Sequence, residues 1–352
     1  LDKLKKSGLN PHLHLPRPNE FISTNFQVIK QESAEPLLEP LLLKDDYCSK
    51  LWYKKDDTFW APRGYIYISM KLAHTHSSIV NSMLTSLYVE LINDHLKDLQ
   101  YDAEVANLHV SFSKTNQGLD ISLCGYNEKL TILLTRFLEG IKEFTPKLDR
   151  FKIFQDKLVR KLNNHLYEVP YSQLSGIFNS LINERSWSTK EKLDLTKQLT
   201  FEHLKNFIPT IYEQLYYEIL VHGNFSQEAA TEINDLVKMM VPNDIKNLQV
   251  KNGKLRSYII PQGKTFRMEL PLADEKNVNS CIQHVTQFGI YSEDLSAKTA
   301  LLAQLIDEPC FDTLRTKEQL GYVVFSSALS THGTVNLRLL IQSERDSSYL
   351  ES

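Results

Sequence analysis

Apolar and polar residues alternate in YIYISMKL, just after a turn at Ala61-Pro62-Arg63-Gly64. That two-residue period predicts a half-buried strand. The run SSIVNSMLTSLYVELINDHLKDL that follows changes period: Ile79, Met83, Leu87, Leu91 and Ile92 fall on one face of a helix. HVSFS and LDISLCGY then read as two strands joined around Thr115-Asn116-Gln117-Gly118, a hairpin signal. Residues Lys129 to Gln214 read as several amphipathic helices, punctuated by Pro146, Pro170 and Ser186-Trp187-Ser188. YYEILVHGN predicts a strand ending in a Gly-Asn turn, and SQEAATEINDLVKMMV a helix closed by Pro242.

After a polar, turn-rich stretch at 243–254 the order begins again. RSYIIPQGKTFRMEL predicts strand, turn and strand, and CIQHVTQFGI another strand. SEDLSAKTALLAQLI predicts a helix with acidic residues in its first turn, followed by FDTLRTKEQLGYVVFSS and a second hairpin through Gly333. Residues 91–113 and 305–327 are similar: Asp98 matches Asp312, Glu104 matches Glu318, and Val110 matches Val324. The pattern predicts an α+β protein with antiparallel-rich sheets packed by helices, in two tandem copies of one domain, the second cut short. The expected organisation is an N-terminal arm at 1–48, a first domain at 49–242, a linker at 243–254 and a second domain at 255–352. The arm, with LHLPRPNEF and QESAEPLLEPLLL, reads as extended chain lying on a surface.

Composition narrows the function classes. The chain has 352 residues, 42% hydrophobic and 24% charged, with a net charge of -3. It can bury a sizeable core and has no global basic field for sequence-independent nucleic-acid binding. Its apolar runs are too short to span a membrane. Neither a signal-like start nor a closing element at the end is present, so a piece of a longer chain is expected. Cys48, Cys124, Cys281 and Cys310 are widely spaced, as reduced thiols of a cytosol-like compartment would be.

Metal and nucleophile motifs are sparse. The nearest approach to a helical His-x-x-Glu-His is 199-LTFEH-203, where Leu199 occupies the first ligand position; it reads as a helix start with Thr200 as N-cap. His74-Thr75-His76 has no Cys, Asp or Glu near it in sequence and reads as a solvated turn. Cys310 has no adjacent His and reads as a buried thiol. That leaves Arg315 and Tyr322, with Tyr101 and Leu108 in their places in the other copy. A structural reading pairs Arg315 with Glu318 or Asp312 on its own helix and makes Tyr322 a strand aromatic. A functional reading has a Tyr hydroxyl and an Arg stabilise the oxyanion of amide hydrolysis and hold substrate backbone, with Gly321 ending the helix so that both face one cavity.

FDTLRTKEQLGYVVFSS resembles the matching segment of the pitrilysin-type zinc metallopeptidases of the insulysin branch, as do EFISTNF, KLWYKKDDTFW, SGIFNSLINERSWSTKEKL, VHGN and LIQSE. The likeness is greatest to fungal members of the kind implicated in maturing a-type mating pheromone. It implies four similar α+β domains forming two halves of a closed chamber around a peptide substrate, with this chain running from the tail of the second domain into the fourth. It further implies a C-terminal half that binds no zinc itself, the zinc ligands lying in an N-terminal half that is its partner. By resemblance Arg315 and Tyr322 contact substrate near the scissile bond and Phe311 lines its pocket. The same resemblance implies a homodimer contact, a chamber that in some members binds ATP or other polyanions, and a cytoplasmic zinc endopeptidase acting on insulin-like peptides or a pheromone precursor. A non-catalytic scaffold or interaction module of the same fold is the alternative.

Overall fold

The computed structural model describes residues 17–30, 36–239, 241, 246–248 and 255–352. The first sheet has the strand order β1-β2-β6-β3-β5-β4, built from β1 (Leu41–Asp45), β2 (Ser49–Lys55), β3 (Arg63–Leu72), β4 (His109–Lys114), β5 (Gly118–Tyr126) and β6 (Gln214–Gly223). The two-residue β7 (Lys246–Asn247) pairs with β6. β2 and β6 run parallel, while β3 is antiparallel to both β5 and β6. Alternation decides which face is covered. Ile66, Ile68, Met70 and Leu72 of β3 are buried, while Arg63 and Tyr67 stay exposed.

The covered face packs on helices. α1 (Ile79–His95) buries nine residues, including Met83, Leu87, Leu91 and Ile92, and α3 (Asn127–Glu143) buries Leu130, Leu133, Leu134, Phe137, Leu138 and Ile141. Ser78 caps α1 by accepting from the Asn81 N–H. The single helix expected from α1 onward is two: the chain bends at buried Leu96 before α2 (Lys97–Val105). α4 (Leu148–His165), α5 (Pro170–Ile182), α6 (Thr189–Gln198) and α7 (Phe201–Phe207) supply the expected helical stretch, and α8 (Gln227–Lys238) follows β6.

The described part of the N-terminal arm is pinned down. Phe21 is buried in the first core. The Glu128 carboxylate accepts the N–H groups of Thr24 and Asn25, each at 2.7 Å. Hydrogen bonds from the Asn25 amide first, then from Lys129, hold Glu128 down to about 2. Leu41–Asp45 adds to the sheet edge as β1. Asn224, the one Asn of a glycosylation sequon, is buried and donates to the Gln27 carbonyl and Asn127.

The second sheet has the order β8-β10-β9, from β8 (Ser280–Ile290), β9 (Val323–Thr331) and β10 (Thr334–Ser343). β3-β5-β4 and β8-β10-β9 are the same antiparallel arrangement, so the repeat read from the sequence is a repeat of topology. α9 (Glu293–Phe311) occupies the place of α1 and is capped the same way, Ser292 accepting from the Leu295 N–H. The offset that relates Ile79 to Glu293 also relates His109 to Val323, the first residues of β4 and β9. The short α10 (Ser347–Glu351) closes the described chain. One expectation fails: 255–270 contains no strand beyond an isolated bridge between Asn183 and Ser257. Ile259, Phe266, Met268 and Leu270 there are exposed, and no described strand offers that segment a ladder of backbone partners. Most of the expected linker at 243–254 lies outside the described residues.

Candidate active site

Three successive backbone devices build the site. Pro309, inside α9, removes one helical N–H. The helix then widens into a π turn over Asp312–Lys317, and the Glu318 N–H reaches back to the Thr313 carbonyl at 2.9 Å. Such π turns recur at functional sites. Finally Gln319 takes a left-handed conformation, φ 53°, and the Leu320 N–H closes on the Leu314 carbonyl at 2.9 Å, in the manner of a Schellman stop.

The reversal therefore occurs at Gln319 rather than at Gly321, where the sequence had placed it. Gly321 serves another purpose. A Cβ there would sit 2.1 Å from the Gln342 carbonyl oxygen, so only glycine allows the chain to run this close to β10. Leu320 is buried, and Tyr322 is turned outward, 82% exposed, just ahead of β9.

Arg315, Tyr322 and Phe311 come together. The Arg315 guanidinium carbon lies 4.8 Å from the Phe311 ring centroid and 4.6 Å from the Tyr322 ring centroid. The two aromatic rings hold a cation between them, which fixes a long side chain and leaves the guanidinium edge for acceptors. The intrahelical ion pair weighed for Arg315 is absent among the described residues: Asp312 pairs with Lys317 at 2.7 Å instead. Nor is Tyr322 part of a strand. Cys310 is half-buried, and burial first, then the Asp307 carboxylate, push its thiol up, lowering its thiolate fraction at neutral pH.

The histidines also find places. Thr200 caps α7 as expected, and His203 completes a capping box: its ring accepts from the Thr200 N–H at 3.2 Å. His76 departs from the solvated turn expected for it. Its Nε2 lies 2.7 Å from the Arg185 carbonyl and its ring stands edge-on to Trp187 at 5.1 Å. His74 lies 3.8 Å from Glu213. Neither partner could be found from sequence adjacency.

Residues 1–195 match the model described as the middle or third domain of peptidase M16. The chain belongs to peptidase family M16. Residues 301–352 of this M16 chain match domain 4 of the C-terminal lobe of PqqF-like PQQ synthase. The chain is 64% identical to the A-factor-processing enzyme of Saccharomyces cerevisiae over 351 residues, 100% of this chain and 34% of that protein. It is 34% identical to the insulin-degrading enzyme of Homo sapiens, again over 100% of this chain and 34% of the relative. It thus spans about a third of the length of these curated relatives. Among solved structures, pitrilysin superposes with a TM-score of 0.77 at 21% identity, covering 96% of this chain and 36% of pitrilysin, which shows the fold.

Zinc is the metal of this peptidase family, and the described residues do not fit it. Among the described residues no three His, Cys, Asp or Glu side chains gather as a metal site. Leu199 cannot ligate, and the His203 Nδ1 is already spent on its helix cap. Among the described residues no helix is long and apolar enough to cross a membrane.

Proposed function

We propose that this chain is the C-terminal, substrate-positioning part of an M16 zinc endopeptidase whose metal ligands lie on another part of the enzyme. The observation that carries the reading is the Arg315 guanidinium held between Phe311 and Tyr322 with the Tyr322 side chain turned outward. Amide hydrolysis places negative charge on the scissile oxygen, and a preorganised donor aimed there stabilises it. The Tyr322 hydroxyl is a donor on a ring whose position the Arg315 stack fixes. The free guanidinium edge can take two carbonyl oxygens of an extended peptide, and the exposed face of Phe311 offers an apolar wall to a side chain beside them. Peptides such as a pheromone precursor or an insulin-like hormone, and a cytoplasmic setting, belong to the same proposal. The names of the yeast and human relatives support the peptides, and the free cysteines support the setting.

Mixing the chain with a separately produced N-terminal half, and following cleavage of a quenched fluorescent peptide, tests the reading. Activity is expected only in the mixture and is expected to fall roughly 10²-fold with Arg315→Ala. If the halves associate and hydrolysis ignores that substitution, the trio is structural and the non-catalytic scaffold reading takes its place.

A further inference from the structure

The first sheet has two edges, and they are treated differently. At β1 the register slips between Leu42 and Lys44, and Lys44 and Asp45 put charge on the strand. A bulge and charged side chains discourage a further strand from adding there. β4 pairs with β5 alone among the described strands, in unbroken register. It contains no Pro. Its single lysine is turned away from the edge: the Lys114 ammonium donates to the Ser82 carbonyl and to the hydroxyls of Ser82 and Ser86.

The backbone groups that face outward can be named. Successive residues of an antiparallel strand aim their N–H and C=O groups to opposite sides. The Thr115 N–H donates inward to the Gly118 carbonyl at 2.9 Å, whereas the Phe112 carbonyl accepts from the Asn93 amide of α1 at 3.0 Å. Val110 and Phe112 therefore present their main chain to the outer side. The Val110 N–H and carbonyl and the Phe112 N–H find no partner there among the described residues. Beside them lies a groove of about 370 Å³, bounded by Asn93 of α1 and by Gln100 and Glu104 of α2. Gln100 donates to the Asn93 side-chain oxygen at 3.1 Å and so holds that wall in place. Glu104 is exposed and is the only carboxylate on the groove. It has no ion pair among the described residues, unlike Glu90 and Asp94 of α1, which pair with Lys157 and Arg150.

We propose that the outer edge of β4 binds an extended peptide as an added antiparallel strand, with a Lys or Arg opposite Val110 seated against Gln100 and Glu104. The residue opposite Val110 gives its N–H to the Val110 carbonyl and takes the Val110 N–H on its own carbonyl. The Phe112 N–H donates to a carbonyl two residues further along the peptide. Directly opposed residues share a face of the sheet, and the β4 face of Val110 and buried Phe112 is the one that the helices cover. The side chain opposite Val110 therefore points to the α2 side, where Glu104 supplies the complementary charge. Main-chain pairing accepts any extended segment, and the groove sets its register through one basic side chain. This site lies in the first unit, apart from the Arg315 corner. That its peptide is a substrate rests on the peptidase reading; the strand addition does not.

Fluorescence anisotropy of the intact protein, titrated with a fluorescein-labelled peptide of alternating Thr and Val around one central Lys, tests the site. Saturable binding is expected. Methylating the amide nitrogen of that Lys should weaken it roughly tenfold, and methylating the nitrogen of the next residue should not, because only alternate N–H groups face β4. Replacing the peptide Lys by Glu should weaken binding roughly fivefold, and Glu104→Lys should invert that preference. Thermal melts confirm that the variant is folded. No saturable binding, or equal affinities for the two methylated peptides, would overturn the proposal. So would a preference for Lys that survives Glu104→Lys, which would put the peptide on another edge. Because the readout is binding and not hydrolysis, either result leaves the peptidase reading where it stands.

Discussion

In the first unit the chain leaves α2 through Asn107, φ 58°, and enters β4 at once, with Leu108 fully buried. In the second it leaves the π turn through Gln319, and Gly321 and Tyr322 intervene before β9 begins. The same topological corner thus carries a core leucine in one copy and a tyrosine 82% exposed in the other. Tyr101, in the place of Arg315, is itself exposed. The fold needs an apolar anchor at this corner, and in the second unit Leu320 supplies it. The Arg315–Tyr322 pair is an addition that folding alone does not ask for. The backbone bears a cost for that addition: a left-handed Gln costs on the order of 1 kcal/mol, where Asn tolerates the region more readily.

Four measurements sharpen or break the contrast, the largest effect first. Leu108→Ala should destabilise the protein by roughly 2–5 kcal/mol in chemical denaturation; a cost below about 1 kcal/mol would mean that Leu108 is no anchor. Tyr322→Phe in the intact enzyme should lower kcat roughly 10²-fold, about 2.7 kcal/mol, with an unchanged melting temperature. A stability loss of that size instead would make Tyr322 the equivalent of Leu108 after all.

Third comes Lys114, whose ammonium is buried with no carboxylate partner among the described residues. Its folded value of about 7 lies below the ordinary 10.5. Between those values the unfolded chain binds more protons, so stability should rise with pH from about 7 to about 10.5. Lys114→Met should remove that slope and gain roughly 1–4 kcal/mol at neutral pH. A variant less stable than wild type would show that the serine hydrogen bonds outweigh desolvation. Smallest, Leu305→Ala on α9 should change the stability of this chain by less than about 0.5 kcal/mol, since Leu305 is 64% exposed. Its counterpart α1 buries nine residues and α9 only Thr299. A large loss at Leu305 would reveal a covering element beyond the described residues.

Much of this was legible in the chain itself, for local reasons. β3, β5 and β6 announce themselves through a two-residue period, and the repeat through matched residues on a helix and the strand after it. Phe311, Arg315 and Tyr322 lie within one short stretch, so their meeting needed only one turn of backbone. What stayed hidden depended on distance or on geometry without a composition signal. His76 meets Arg185 and Trp187 across more than a hundred residues. The break at Leu96 sits inside an unbroken apolar rhythm, and the π turn uses residues that would serve an ordinary helix. Residues 255–270 mislead because apolar content was read as a strand where no described neighbour provides a ladder.

Among the described strands, β8 pairs with β10 alone. Its outer edge, eleven residues long and carrying exposed Phe288 and Ile290, presents a row of amides and carbonyls that no described strand pairs. No Lys, Asp, Glu or Pro interrupts it, and those are the residues that ordinarily discourage edge-to-edge pairing. Concentrated solutions of this chain alone are therefore expected to associate through β8, and a lysine at Ile290 is the simplest way to keep them monodisperse.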